Sequence, residues 1–345
     1  MSFQYVRKIP TFQEILREMP LAADLKKVKA RRDAEIRDVF ERRSDKFLLI
    51  IGPCSADNAD AVCEYVARLA RVQDKVKDQL ILIPRIYTNK PRTTGKGYKG
   101  MVHQPVPTEE PDLVAGLKAI RKMHLRALKE SHLPPADEML YPANYPYLED
   151  VLSYVAIGAR SVENQQHRLT ASGLDIPAGM KNPTSGDMTV MLNSIEAGQH
   201  PHTFVYHDWE VRTTGNPLTH AVLRGATDES GKNIPNYSYA DLTKIAQIYL
   251  KRPLKNPTVI VDTNHANSGK DFRRQPAIAM DVLASLRKDT KLKDMVKGLM
   301  IESYLVEGAQ DASGGVYGKS ITDACLGWED SEKLILDIAE GVAKL

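Results

Sequence analysis

From Lys46 onward the chain alternates short β-rich apolar runs with helical patterns, a rhythm that few folds accommodate. The runs are FLLIIG (47–52), LILIPRIY (80–87), DEML (137–140), VAIGA (155–159), IPAGMK (176–181), AVLRG (221–225), TVIVDT (258–263) and GLMIES (298–303). Helical segments such as ADAVCEYVARLARVQDKV (59–76) and PDLVAGLKAIRKMHLRALKE (111–130) separate most of them. Eight strand–helix units in about 300 residues predict an α/β fold of the (β/α)8 barrel type. One further extended piece, HTFVYHDWEVRTT (202–214), reads as a β-hairpin inserted before the sixth strand. Residues 1–45 read as an N-terminal extension. Within it, LAADLKKVKARRDAEIRDVFERRSD has apolar residues at helical spacing, suited to cover the bottom or an edge of the barrel or to meet a second copy. Residues 46–345 then form one catalytic-sized domain.

Composition narrows the function classes. Hydrophobic residues make up 42% of the 345-residue chain and charged residues 26%, which supplies an ordinary globular core. A net charge of +3 is too small for a nucleic-acid binder. No apolar run approaches the ~20 residues needed to span a bilayer, and the N-terminus lacks the apolar core of a signal peptide. Three cysteines, Cys54, Cys63 and Cys325, at irregular spacing suit a reduced, cytoplasmic protein.

In a parallel barrel the chemistry sits at the carboxyl ends of the strands. Those ends here carry Cys54, Arg85, Glu138, Arg160, Lys181, Arg224, His265 and Glu302, with Asp323 following the last strand. Cys54, His265, Glu302 and Asp323 form a mixed S/N/O set of the kind that binds a borderline divalent ion. Taken singly, Cys54 reads as a buried small hydrophobe and His265 as a hydrogen-bonded core residue. Each cation, taken singly, reads as a solvated surface charge. Arg85, Lys90, Arg160, Lys181 and Arg224 together suit phosphate and carboxylate groups. The stretch NKPRTTGKGYKG (89–100) adds four cations and three glycines with no acid. Its glycines allow close backbone approach to an anion, although it lacks the spacing of a Walker A loop.

The motifs GPCS (52–55), KPRTT (90–94), AIGAR (156–160), Lys181-Asn182 with Thr184, LRG (223–225), HANS (265–268), the Glu302–Gly308 segment and GKSITDACLGWED (318–330) resemble type I 3-deoxy-D-arabino-heptulosonate 7-phosphate synthases. The similarity runs in order from about residue 48 to 340. It implies a metal-dependent barrel enzyme that condenses phosphoenolpyruvate with D-erythrose 4-phosphate, the first step of the shikimate pathway to aromatic amino acids. Carried over by motif, the metal ligands fall on Cys54, His265, Glu302 and Asp323, for one divalent ion (Mn, Fe, Co or Zn). Phosphoenolpyruvate contacts fall on Arg85, Lys90, Glu138, Ala159, Arg160, Lys181 and Arg224. Erythrose 4-phosphate contacts fall on Lys90, Pro91, Arg92 and Thr93. Lys90, Glu138, Lys181 and His265 are the candidate catalytic residues. Small-molecule substrates and a homo-oligomer, dimer or tetramer, are the implied partners.

The chain departs from the family pattern in places. GPCSADN lacks the usual Ile-His after the serine, and the loop after KPRTT is one residue longer than the usual Val-Gly-Trp form. MKNPTSGD replaces a Phe-Lys-Asn-Gly-Thr-Asp-Gly run, Asn264 stands where a serine is common, and Tyr141 stands where inhibitor-sensitive members often carry Asp. No aromatic-amino-acid effector is therefore carried over. Two rival readings are an octulosonate synthase, expected to have an Asn-rich loop in place of KPRTT, and a catalytically silent sensor, expected to have lost a metal ligand. If Asp323 and Cys54 share one ion, Cys325 falls near Cys54 and a disulfide becomes possible in its absence.

Overall fold

The computed structural model describes residues 2–345. Its central sheet contains β1 (Phe47–Gly52), β2 (Leu80–Pro84), β3 (Ala136–Glu138), β4 (Tyr154–Ile157), β5 (Ala178–Lys181), β6 (Thr219–Leu223), β7 (Val259–Asp262) and β8 (Val296–Glu302). All neighbours are parallel, in the order β2-β1-β8-β7-β6-β5-β4-β3. A single parallel bridge, Arg85 to Ala136, joins the two ends and closes the barrel. This is the (β/α)8 barrel expected from the strand rhythm.

Alternation along each strand builds two apolar layers. Phe47, Leu49 and Ile51 of β1 face the surrounding helices, while Leu48 and Ile50 face the barrel axis. Ile81, Ile83, Tyr154, Val222, Ile260 and Met300 complete the axial layer. Helix starts follow local capping chemistry. Asn58 accepts from the backbone of Asp60 and Ala61 to open helix Ala59–Val76, and Asp112 accepts from Ala115 to open helix Leu113–Ser131. Ser238 and Asp241 form a reciprocal capping box for helix Tyr239–Tyr249.

The N-terminal segment forms helices Phe12–Glu18 and Ala23–Phe40. Ile36, Val39 and Phe40, at the end leading into β1, join the axial layer, and the Phe40 ring lies 4.7 Å from that of His220. The second helix therefore closes the amino-terminal end of the barrel, which leaves the opposite end for a ligand. The hairpin before β6 is present as Thr203–Tyr206 paired antiparallel with Trp209–Arg212. Two short ribbons were not legible in the sequence: Ala226–Thr227 with Asn233–Ile234, and Val306–Ala309 with Lys319–Ser320. No helix among the described residues is long and apolar enough to cross a membrane.

Candidate active site

At the carboxyl end of β1 the chain turns through Pro53 and buries Cys54 completely. Ser55 bonds Thr322 at 2.8 Å, which ties this turn to the loop carrying Asp323. Cys54 Sγ is 3.5 Å from Asp323 Oδ2. At the end of β8, Gln275 accepts from the Glu302 amide and donates to the Glu302 carbonyl, fixing that residue's backbone at 2.9 and 2.8 Å. The result is a trio. Ligand atoms of Cys54, Glu302 and Asp323 all lie within 4.8 Å of one another.

His265 stands beside the trio but does not join it at that spacing. Its Nε2 is 3.9 Å from Glu302 Oε1, and its Nδ1 is 2.9 Å from Asp262 Oδ2, at ion-pair distance but off the line of a hydrogen bond. Its backbone adopts φ +52°, unusual for a residue with a side chain. Such strain concentrates where a side chain must be aimed. A thiol, an imidazole and two carboxylates gathered in one corner fit a borderline divalent ion better than Mg or Ca.

The other side chains form a cationic chamber. Arg85, Lys90, Pro91, Arg92, Glu138, Ala159, Arg160, Lys181, Arg224, His265 and Asp323 line one cavity of about 210 Å³. Two of its cations already have acids. Arg85 Nη2 is 2.8 Å from Glu302 Oε1, and Lys181 Nζ is 3.0 Å from Asp262 Oδ2. Lys90 reaches across to the carbonyl and the sulfur of Cys54, at 2.5 and 2.9 Å. Arg224 differs. It is 8% exposed, yet its Nε and Nη1 have no hydrogen-bond partner among the described residues. A buried guanidinium without an anion is costly, and burial holds Arg224 below its usual range despite the Asp262 charge.

The same chamber shapes the neighbouring acids. Burial would raise Glu302, but Arg85, then His265 and Lys90, outweigh it and hold the carboxyl low. Burial would likewise raise Asp323, and Lys90 and His265 hold it low. Burial pushes the Cys54 thiol up, helped by Glu302 and opposed by Lys90. Burial alone would lower Lys90, yet the Cys54 sulfur beside it holds the amine above its usual range.

The family model described as "DAHP synthetase I family" matches residues 23–335. The chain belongs to the DAHP synthetase I family. It is 39% identical over 316 residues to the phospho-2-dehydro-3-deoxyheptonate aldolase of Haemophilus influenzae, covering 89% of this chain and 84% of that one. It is 37% identical over 336 residues to the Phe-sensitive aldolase of Escherichia coli K12, covering 95% and 93%. A solved phospho-2-dehydro-3-deoxyheptonate aldolase from Francisella tularensis superposes with a TM-score of 0.91 at 29% identity, over 100% of this chain and 99% of that one. The chain is thus an enzyme of the DAHP synthase type.

Within this family member, nearly every site residue expected from the sequence lines the cavity, and Cys54 and Glu302 contact the lining residues Lys90 and Arg85. Thr93 does not; it is exposed in the loop after Lys90 and outside the cavity lining. Arg92 reaches the lining while its Nε donates to the Tyr98 carbonyl at 2.7 Å. Tyr141 lies away from it, 40% exposed and beside the His103 ring. Sequence reasoning missed Asp262, which faces both Lys181 and His265, and Lys270, Ser161 and Thr322 on the cavity wall. Asp262 ends β7, so the strand-end rule contained its signal. Asn264, noted only as a departure, donates to Glu302 Oε2 at 2.6 Å.

Proposed function

We propose that this enzyme condenses phosphoenolpyruvate with D-erythrose 4-phosphate to give 3-deoxy-D-arabino-heptulosonate 7-phosphate and phosphate. The observation that carries the reading is Arg224. Its unpartnered, buried guanidinium faces a cavity shared with Arg160, Lys181 and Lys90, and a dianionic ligand with a carboxylate satisfies what the protein leaves unsatisfied. The family supplies the chemistry that such a ligand enters.

In this reading Arg160, Lys181 and Arg224 hold the phosphate and carboxylate of phosphoenolpyruvate, with Arg85 beneath them. Arg92, at the cavity mouth, takes the phosphate of the sugar. When bound at Cys54, His265, Glu302 and Asp323, a divalent ion (Mn, Fe, Co or Zn) supplies Lewis-acid polarisation of an aldehyde oxygen. C3 of phosphoenolpyruvate then forms a bond to the aldehyde carbon. Lys90 Nζ carries the proton that the new alkoxide takes up. Water adds at C2 and gives one proton to Glu138. The C2–O bond to phosphate then breaks, the C2 hydroxyl becomes the ketone, and its proton leaves with the phosphate. The fixed cations stabilise charge as it develops and need little reorganisation. A cytoplasmic homo-oligomer acting only on small molecules belongs to the same reading.

The test follows phosphoenolpyruvate absorbance with and without erythrose 4-phosphate, before and after chelation and re-addition of each metal. The expected result is consumption only with both substrates, abolished by chelation and restored by Mn, Co, Fe or Zn better than by Mg. Full turnover by protein shown to be metal-free overturns the metal assignment. Consumption without the sugar overturns the condensation.

A further inference from the structure

The β2–β3 seam is where the barrel is thinnest. β1 meets β8 through five residue pairs and β3 meets β4 through three, but among the described residues β2 and β3 meet through the Arg85–Ala136 bridge alone, which includes the bond from the Ile86 amide to the Ala136 carbonyl. Lys90 hangs from one side of this seam, beyond the end of β2. Glu138 ends β3 on the other. Both line the anion cavity. A seam with so few ladder bonds does not by itself fix two side chains relative to each other.

Asp137 crosses that gap. By strand alternation its side chain lies on the opposite face of β3 from Glu138, away from the anion cavity. Its Oδ1 accepts the backbone N–H of Thr88 at 2.9 Å and that of Glu138 at 2.7 Å. Its Oδ2 accepts the Thr88 hydroxyl at 2.5 Å. One carboxylate thus grips the backbone two residues before Lys90 and the amide of Glu138 itself. The loop beyond is clamped to the same place, because Val102 N–H reaches the Thr88 carbonyl at 3.3 Å. Gly100 allows that approach, since a Cβ there would sit 2.4 Å from the Thr88 oxygen.

The surroundings argue against a purely structural carboxylate. Asp137 is 4% exposed and no Lys or Arg pairs with it among the described residues. The nearest ionisable partner is His124, fully buried on helix Leu113–Ser131, whose Nε2 lies 3.8 Å from Asp137 Oδ2 without a hydrogen bond. His124 Nδ1 is 2.8 Å from the Ile120 carbonyl, so that nitrogen carries the proton and Nε2 presents a lone pair to the acid. An apolar pair would pack this position at lower cost.

Resting on the proposed condensation, we propose that Asp137, backed by His124 and tied to Thr88, is a positioning residue that sets Lys90 and Glu138 relative to the reacting atoms. Phosphoenolpyruvate itself is held mainly from β4, β5 and β6, by Arg160, Lys181 and Arg224. Loss of the tether should therefore strike turnover more than binding.

The experiment first requires the parent enzyme to consume phosphoenolpyruvate with erythrose 4-phosphate; failure there sinks the functional reading and not the tether. In Asp137→Ala, kcat is expected to fall about tenfold or more while KM for phosphoenolpyruvate changes by less than about threefold. Asp137→Asn should restore kcat to within about threefold of the parent, because its amide oxygen takes the two N–H groups and its NH₂ gives to the Thr88 hydroxyl. Thr88→Val, which keeps the Thr88 N–H bond and loses only the hydroxyl, is the second variant should Asp137→Ala fail to fold, with a kcat loss of about threefold or more at parental melting temperature. An Asp137→Ala enzyme with parental kcat overturns the proposal. So does an Asp137→Asn enzyme as impaired as Asp137→Ala, or a Thr88→Val enzyme with parental kcat.

Discussion

Arg224 and Asp137 are opposite cases of a buried charge. Arg224 faces the cavity with two nitrogens unpartnered among the described residues, so the free enzyme carries the cost that a bound anion would remove. Arg224→Met keeps the length and deletes the charge. KM for phosphoenolpyruvate should rise about tenfold to a hundredfold, the equivalent of a lost charge-assisted contact of roughly 1.5–3 kcal/mol. The ligand-free melting temperature should hold or rise by about a degree or two, and a clear fall would show that Arg224 is already compensated. Asp137 lies away from the cavity, and burial pushes it up to about 7 against the Thr88 bonds that lower it. The ionisable groups around it are Glu138 on its own strand, Tyr87 on the segment after β2 and His124, itself pushed down to about 4 by burial. The native state holds the proton that the unfolded chain releases near 3.8, so this contribution is fully present below that pH and is lost as pH rises to about 7. Asp137→Asn removes the titration. Its stability relative to the parent should improve on the order of 2 kcal/mol between pH 5.5 and 8.5, measured by urea denaturation. A constant difference across that range would place the acid's titration elsewhere.

Elements were legible where one physical rule governed them. The eight strands are short because each spans only the barrel wall, and their apolar runs fall within a few residues of the observed strands. The helix Ala59–Val76 begins where Asn58 caps it, a signal carried by residue type alone. The use of helix Ala23–Phe40 was not legible. Its helical spacing fits a bottom cover or a contact between copies equally well, and only the placement of Ile36, Val39 and Phe40 among β-strand residues from across the chain selects the cover. The two short ribbons escaped because segments of two to four residues carry no periodicity. The plug makes a separable prediction. Phe40→Ala should cost about 3–5 kcal/mol, as other core aromatics do on truncation. KM for phosphoenolpyruvate in the folded fraction should stay near the parental value, because the cavity opens at the other end of the barrel. Loss of substrate affinity in step with stability would show that the plug communicates with the site.

Across the whole molecule, the strand-end rule located most of the candidate site because a closed parallel barrel gathers every carboxyl end on one face. It could not show which cations were free. That depends on Glu302 reaching Arg85 and Asp262 reaching Lys181, contacts between residues far apart in sequence. The same closure joins β1 to the last loop of the chain, and there it sets up a chemical liability. The Cys54 amide lies 3.3 Å from the sulfur of Cys325, and both side chains are buried as free thiols. The anticipated proximity is therefore present in the fold. In the proposed reading a divalent ion commits the Cys54 sulfur as a ligand, and removing the ion would release it beside a second thiol. Dioxygen can then accept the two electrons and two protons that leave as the sulfurs join. Chelated enzyme kept in air should lose activity that thiol reductant plus metal restores, and metal-loaded enzyme should resist. Cys325→Ser should retain metal-dependent turnover and survive the chelated, aerated interval. Mass spectrometry of the inactivated parent should show a Cys54–Cys325 linkage and a loss of two hydrogens. Equal decay of Cys325→Ser and parent, with equal recovery on reduction, would mean that Cys54 oxidises by another route.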